Sequence, residues 1–572
     1  MSAMTRTTNQ RLVAVYAGFL ALLGLLWVRC LWLQVVNPGK LSRLADAQHR
    51  LAQTMAAPRG TIYDRAGRVL AMSVRAPSVF ANPRQMTAKS QAAVRLASVL
   101  GREPGWIAQR LNRDKGFVWL SRQADRTVKD DLRPLRRQGI GVVEELKRLY
   151  PQGAFASQLL GFVDIDQNGL EGLELMFDGL LRGRAGWQST LRDAKGDVLI
   201  GPWTVELDPQ PGYDLVLTID SVVQGMAEEA LAWGVKSAHA KGGSLIVMDP
   251  QTGEILALAD QPTFDPNQPG RASPATRRNR AITDQAEPGS VFKVVTASAL
   301  LEEGLAKPSD RVFCEQGHYR TAGRHTLHDA HHYGWLTFHE VIQHSSNIGT
   351  AKLAQRLKPE TLARYIQAFG FGRKTGIELP GEVNGMVVPP ARWSKLSSYI
   401  IPIGQEVAVT PVQLAGMMAV IANGGLKVRP TLLKAIQTSD GSLFRQFKPK
   451  EEGRILRPDT VQQVEQMLVS VVESGTGQLA NVQGLTVAGK TGTAQKLEPT
   501  GRYSHSLFVA SFVGYGPVPD SRFVIVVTVD EPHPAYYGGV VAAPIFKRVV
   551  EHLVGYWNLK TPASPTTLAR LP

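Results

Sequence analysis

Cysteine is nearly absent: 572 residues contain only Cys30 and Cys314. Cys30 lies in or beside an apolar N-terminal run, so the two are not expected to meet and no disulfide framework is read. Acidic residues are also in deficit, 49 against 64 Lys and Arg, leaving a formal net charge of +15. That excess favours anionic partners, whether nucleic acid, anionic lipid or an acidic polymer, without choosing among them. Zinc-finger spacing and RNA-binding signatures are missing and the basic residues are spread along the chain, so no nucleic-acid partner is expected. A standard zinc frame is missing too. Seven of the twelve histidines fall between His318 and His344, just after Cys314, but their spacing fits no such frame. A solvated, hydrogen-bonded loop is expected there, with no metal and no cofactor.

What the sequence does have, first, is a long hydrophobic run. Residues 12–28 are 17 uncharged positions; Arg29 interrupts them and apolar character resumes to Val36. A membrane-spanning helix needs about 20 mainly apolar residues, and an arginine near its end can snorkel to the headgroups. No small-x-small cleavage site follows, which disfavours a removed signal peptide. Bulky Val28 and Arg29 before Cys30 disfavour a lipoprotein. A retained span is the reading. Its orientation is not set by charge, since Arg6 and Arg11 precede it while Arg29, Lys40 and Arg43 follow.

The remaining length is too great for one core. Residues 1–11 read as a short N-terminus, 12–36 as the span, 37–210 as a first domain, 211–558 as a second and 559–572 as a disordered tail. A linker with helical character is expected over 37–58. Turn residues around Asp64 and Gly67 separate short strands, and residues 169–186 suggest a helix closed by glycine. The first domain offers no set of nucleophile, base and orienting group. In the second, residues 214–220 alternate like a strand, residues 222–235 are amphipathic and helical, and two apolar runs flank the turn at Asp249-Pro250-Gln251-Thr252-Gly253. Three more strand-like runs, over 485–495, 506–516 and 522–532, precede a final helix over 543–557. An α+β architecture follows: one antiparallel sheet of about five strands, built from both ends of the domain and covered by helices.

The chemistry centres on residues 290–304. Ser290 stands at the start of a helix, after Pro288-Gly289, and Lys293 is the one charged residue up to Leu301. A helix apolar on every face is buried. Ser290 and Lys293, at i and i+3, share a face. Desolvation lowers the pKa of such a lysine, and a neutral amine beside a hydroxyl can take its proton. The backbone N–H at the helix start can help hold an oxyanion. Taken alone, this is more readily a capped helix with an edge lysine, since Ser-x-x-Lys occurs by chance. Two further motifs lie downstream. Ser345-Ser346-Asn347 can present polar groups from one loop. Lys490-Thr491-Gly492-Thr493 sits on a strand-like run, where a cation and hydroxyls can bind a carboxylate and Gly492 permits close backbone approach. Residues 484–491 also satisfy the pattern of a phosphate-binding loop, but strand-forming residues fill the loop and no good helix follows.

The order Ser-x-x-Lys, Ser-x-Asn, Lys-Thr-Gly is the set used by penicillin-binding proteins and class A β-lactamases. The chain resembles the class B penicillin-binding proteins, from the apolar helix almost to the C-terminus. The segments PRGTIYDRAGRVLA, RLYPQGAFASQLLGFV and GLEGLELMFDGLLRGRAG are similar to the family's N-terminal signature and non-catalytic pedestal. NRAITDQAEPGSVFK, VAVTPVQLAGMMAVIANGG, VAGKTGTAQ and YYGGVVAAPIFK are similar to its transpeptidase domain. Length and layout most resemble the division-specific members.

The resemblance implies a D,D-transpeptidase on the periplasmic or outer side of the inner membrane, cross-linking septal peptidoglycan stem peptides and acylated by β-lactams. It implies Ser290 as nucleophile, Lys293 as base, and Ser345 and Asn347 as proton relay and positioning groups. Lys490, Thr491 and Thr493 would bind the terminal carboxylate, with Ser346 and Gly492 lining the substrate site. The N–H groups of Ser290 and Thr493 would form the oxyanion hole. Implied partners are the membrane, an FtsW-type glycosyltransferase and other division proteins. D,D-carboxypeptidase activity, an elongation role and a non-enzymatic sensor or scaffold are the alternatives. Ile403-Gly404-Gln405-Glu406 and the His-rich stretch depart from the family's usual pattern.

Overall fold

The computed structural model describes residues 2–36, 39, 50–192, 198–199, 205–321, 325–498 and 501–559. The tail expected to be disordered lies outside them, apart from Leu559. The chain divides into two units, 1–58 with 183–211, and 59–182 with 212–572.

In the first unit, Ser2–Leu31 forms helix α1 and the chain continues in π-helical turns over Trp32–Val36. The stretch Thr8–Val35 is long and apolar enough to cross a membrane, and none of its most apolar window is buried. At about 1.5 Å per residue it spans about 42 Å, more than the hydrocarbon core requires. The unit's second element is a four-stranded sheet, in which Arg50–Met55 pairs antiparallel with Gly186–Arg192. Within the linker expected to be helical over 37–58, residues 50–55 are therefore a strand. Its pairing partner lies more than a hundred residues away, beyond the reach of local periodicity.

In the second unit, the central sheet has five strands: β1 (Gly242–Met248), β2 (Ile255–Gln261), β3 (Ala488–Leu497), β4 (Tyr503–Gly516) and β5 (Phe523–Asp530). Their spatial order is β2-β1-β5-β4-β3, all antiparallel, with β3 on an edge. This is the sheet expected from the two ends of the domain. Strand alternation divides its side chains between two cores. Leu245, Val247, Ile525, Val527 and Val529 pack with helices α2 (Ser221–Ser237) and α7 (Ala543–Trp557). Ile246, Met248, Val524 and Val526 face the larger core, built with α3 (Lys293–Glu302), α5 (Pro411–Ala422) and α6 (Pro458–Glu473). Both faces are covered, so these strands read as continuous apolar runs.

A seven-stranded sheet joins the other half of the unit. Asp214–Leu217, expected as a strand of the second domain, belongs here: it pairs parallel to Ile62–Tyr63 and antiparallel to Leu433–Gln437. Asp64 ties this region to α2, its carboxylate accepting from Ala66 N, Arg68 N and Ser221 Oγ. Behind it lies a buried ion cluster in which Glu174 takes Arg59 and Arg148, each at 2.6 Å. The helix expected over 169–186 is two short ones, Gly172–Met176 and Asp178–Leu181, broken at Phe177 (φ −111°).

Candidate active site

Ser290 lies in a 3-10 turn, Gly289–Phe292, that runs directly into α3. Residues 293–301 of α3 are buried without a break, which is why its lysine is desolvated. Lys293 is 0% exposed. Its Nζ donates to Ser345 O (2.6 Å), Asn347 Oδ1 (2.8 Å) and Ser345 Oγ (3.2 Å). Burial lowers its pKa to about 7, against an opposing pull from the Asp329 charge. Ser290 is partly exposed, and no hydrogen bond joins its Oγ to Lys293 among the described residues.

The second lysine arrives from β3. Lys490 is also 0% exposed, and its Nζ donates to Ser345 Oγ (2.9 Å) and Thr491 O (3.3 Å). Burial, then the neighbouring Lys293 charge, push its pKa well below the usual lysine range. One serine hydroxyl thus serves two amines. Ser345 has φ +59°, the left-handed region that L-residues with side chains occupy only when their surroundings enforce it. Lys490-Thr491-Gly492 lies within an extended strand and no helix follows, which removes the phosphate-loop reading.

The backbone around Ser290 is held by two glycines. Gly289 has φ +51°, and a Cβ there would sit 2.9 Å from Thr493 O and 3.7 Å from Thr493 N. The edge of β3 therefore lies against the Ser290 turn. From the other side Gly404 (φ +86°) accepts from Gly289 N at 3.2 Å, and a Cβ on it would meet Gly289 O at 2.1 Å. Glu406 N donates to Glu287 Oε1, which also accepts from Tyr503 Oη. The 403–406 segment, atypical in sequence, clamps the turn.

The fold thus brings Lys293, Ser345, Asn347 and Lys490 into one hydrogen-bonded cluster and sets Ser290 and Thr493 beside it. The remaining expected residues fall differently. Ser346, expected to line the substrate site, is 1% exposed and caps helix α4 (Asn347–Ala354) through Gly349 N (2.9 Å). Its hydroxyl is committed to Asp329 Oδ2 at 2.6 Å, so it is a support and not a contact surface. Thr491 Oγ1 pairs with Thr476 Oγ1 (2.8 Å), and Thr493 Oγ1 accepts from Gly538 N (3.0 Å). Gly492 has no room for a side chain, since a Cβ would meet Ser511 Oγ at 2.3 Å. Asp329, Thr476 and Gly538 were not legible in sequence. The one signal was Asp329's place inside the His-rich stretch.

Residues 243–551 match the family described as penicillin binding protein transpeptidase domain, and residues 54–217 the penicillin-binding protein dimerisation domain. The probable peptidoglycan D,D-transpeptidase PenA of Neisseria meningitidis is 34% identical, covering 98% of this chain and 95% of its own. Peptidoglycan D,D-transpeptidase FtsI of Escherichia coli is 32% identical, covering 94% and 90%. The crystal structure of penicillin binding protein 3 of Mycobacterium tuberculosis, complexed with aztreonam, superposes with a TM-score of 0.70 at 30% identity, covering 89% and 98%. With both domains matched and relatives similar along nearly the whole length, this chain belongs to the class B penicillin-binding proteins.

Proposed function

We propose that the protein is a peptidoglycan D,D-transpeptidase working through a serine acyl-enzyme at Ser290. The observation that carries this reading is the buried cluster in which Lys293 and Lys490 share Ser345 Oγ beside Ser290. Names of relatives similar over nearly the whole chain support it.

Ser290 Oγ attacks the carbonyl of the penultimate D-alanine of a stem peptide. Its proton passes to Lys293, neutral once its pKa is near 7. Asn347 Oδ1 and Ser345 O hold the lysine in place and accept its hydrogens as charge develops. Charge on the tetrahedral oxygen falls on the N–H groups of Ser290 and Thr493. Ser345, bonded to both amines, relays the proton to the departing D-alanine amine. Lys490, donating to Ser345 Oγ from β3, holds the hydroxyl of that relay in place. Thr491 and Thr493 take the substrate carboxylate by exchanging their present hydrogen bonds, and Gly492 keeps the strand flush with the turn. An amine of a second stem peptide then attacks the ester, forming the cross-link and releasing Ser290. β-Lactams enter the same path at the acylation step.

Helix α1 is read as a single span of the inner membrane, with the second unit on the periplasmic side. A septal role, with an FtsW-type glycosyltransferase and other division proteins as partners, is supported by similarity to FtsI. Labelling with a fluorescent penicillin tests the chemistry: wild type is expected to label covalently and Ser290→Ala not at all. A folded Ser290→Ala protein that still labels would sink the assignment. Depletion is expected to give filamentous cells; round cells would replace the septal role with an elongation one.

A further inference from the structure

The His-rich stretch has a defined place. His318–Arg320 pairs with Thr326–His328 in a hairpin, fastened by a His318 Nδ1–His328 Nδ1 contact of 3.0 Å. His332 Nδ1 meets Gln316 O at 2.8 Å in the following loop. The hairpin ends against the Ser345-Ser346-Asn347 turn. His328 O accepts from Asn347 Nδ2 at 2.9 Å. The next residue, Asp329, accepts from Asn347 N (2.5 Å) and Ile348 N (3.1 Å) through Oδ1, and from Ser346 Oγ (2.6 Å) through Oδ2.

These bonds decide more than the start of a helix. An asparagine side chain can present either its oxygen or its amide nitrogen. With Nδ2 drawn to His328 O, Oδ1 is the atom left to face Lys293 Nζ, at 2.8 Å. Asn347 N and Ser346 Oγ are held at the same time, so the backbone that follows strained Ser345 is fixed. Strain of that kind persists only where the surroundings over-determine it.

We propose that Asp329 is a positioning residue for the acyl-transfer reaction: it docks the His-rich hairpin onto the first turn of α4 and thereby fixes Asn347 and Ser345 against Lys293. The inference rests on the assignment of Ser290 and Lys293 made above. Lys293 is faced by Lys490 from β3, by Ser345 and Asn347 from the turn, and across them by Asp329. Asp329 therefore also acts on Lys293 through its charge, which a purely structural residue would not do.

The test is the rate of acylation by a fluorescent penicillin across pH, on full-length protein in detergent. Asp329→Asn keeps the shape and removes the charge. It is expected to slow acylation roughly 10- to 100-fold, as for a small misplacement of catalytic groups, and to move the acid limb of the rate profile to lower pH. Asp329→Glu keeps the charge and displaces it. It is expected to acylate more slowly than wild type with the limb at the wild-type pH, and this variant decides the matter if Asp329→Asn does not fold. Wild-type rates in either variant, or slowing by Asp329→Asn with an unmoved limb, would overturn the proposal. A wild type that fails to label, or a Ser290→Ala protein that labels, would instead remove the reading on which it rests.

Discussion

Two amines on one hydroxyl make the pH behaviour of this site a property of particular atoms. Lys293, lowered to about 7 by burial, is neutral over half the time only above that value. Acylation is therefore expected to rise with pH through a limb near 7, and stopped-flow measurement with a chromogenic β-lactam checks it. The unfolded chain keeps this proton up to the ordinary lysine range, where the folded chain has already lost it. Stability should accordingly rise with pH from about 7 towards about 10. Thermal unfolding should show a weaker rise in Lys293→Met. Ser345→Ala removes the oxygen that both amines use. Hydrogen bonds to charged groups are worth about 1.5–3 kcal/mol, so a loss of about 10- to 100-fold in acylation rate is expected, with the covalent adduct still forming on Ser290.

Short elements, not long ones, set the site's precision. The 289–292 turn is pressed between β3 and Gly404, and backbone occupies the space a side chain would need on either side. Gly404→Ala would drive a methyl into Gly289 O and demand left-handed backbone from alanine, a strain of about 1–3 kcal/mol before the clash is counted. A lower unfolding temperature and slower acylation are expected together; a variant with normal kinetics would show that the clamp is dispensable. Much of this level was legible in sequence. The strand-like runs gave all five strands of the central sheet, the final helix matched residues 543–557, and the uninterrupted apolar surroundings of Lys293 foretold its lowered pKa. What was not legible depends on partners distant in the chain. Thr476 reaching Thr491 and Asp329 reaching Ser346 carry no periodicity, and Arg50–Met55 is a strand only because Gly186–Arg192 lies beside it. The cap made by Ser346 was hidden for the same reason: nothing in three letters tells a cap from a contact.

At the scale of the molecule, every residue of the catalytic cluster lies in the second unit, while α1 lies in the first. A chain lacking residues 2–36 is expected to leave the membrane fraction and still be acylated, as fractionation and penicillin labelling would read. Within the second unit the Glu174 carboxylate sits between two guanidiniums whose side chains are 1% exposed. Arg59 would keep Asp178 at 2.6 Å, but Glu174→Gln would leave buried Arg148 without a carboxylate, at a cost of about 3–5 kcal/mol, visible as early unfolding in denaturant. The central sheet has one more consequence, in time and not in space. Met248 finds its partner at Val524, and Lys490 can reach Ser345 only once β3 is held by β4. Pairing across such a separation is slow, and it waits for the far strand to emerge. A nascent chain therefore carries Ser290 through much of the second half of its synthesis with no amine pair beside it. On the proposed mechanism the nucleophile is switched on only by completion of the sheet, and a chain truncated before β5 is expected to escape labelling by a fluorescent penicillin.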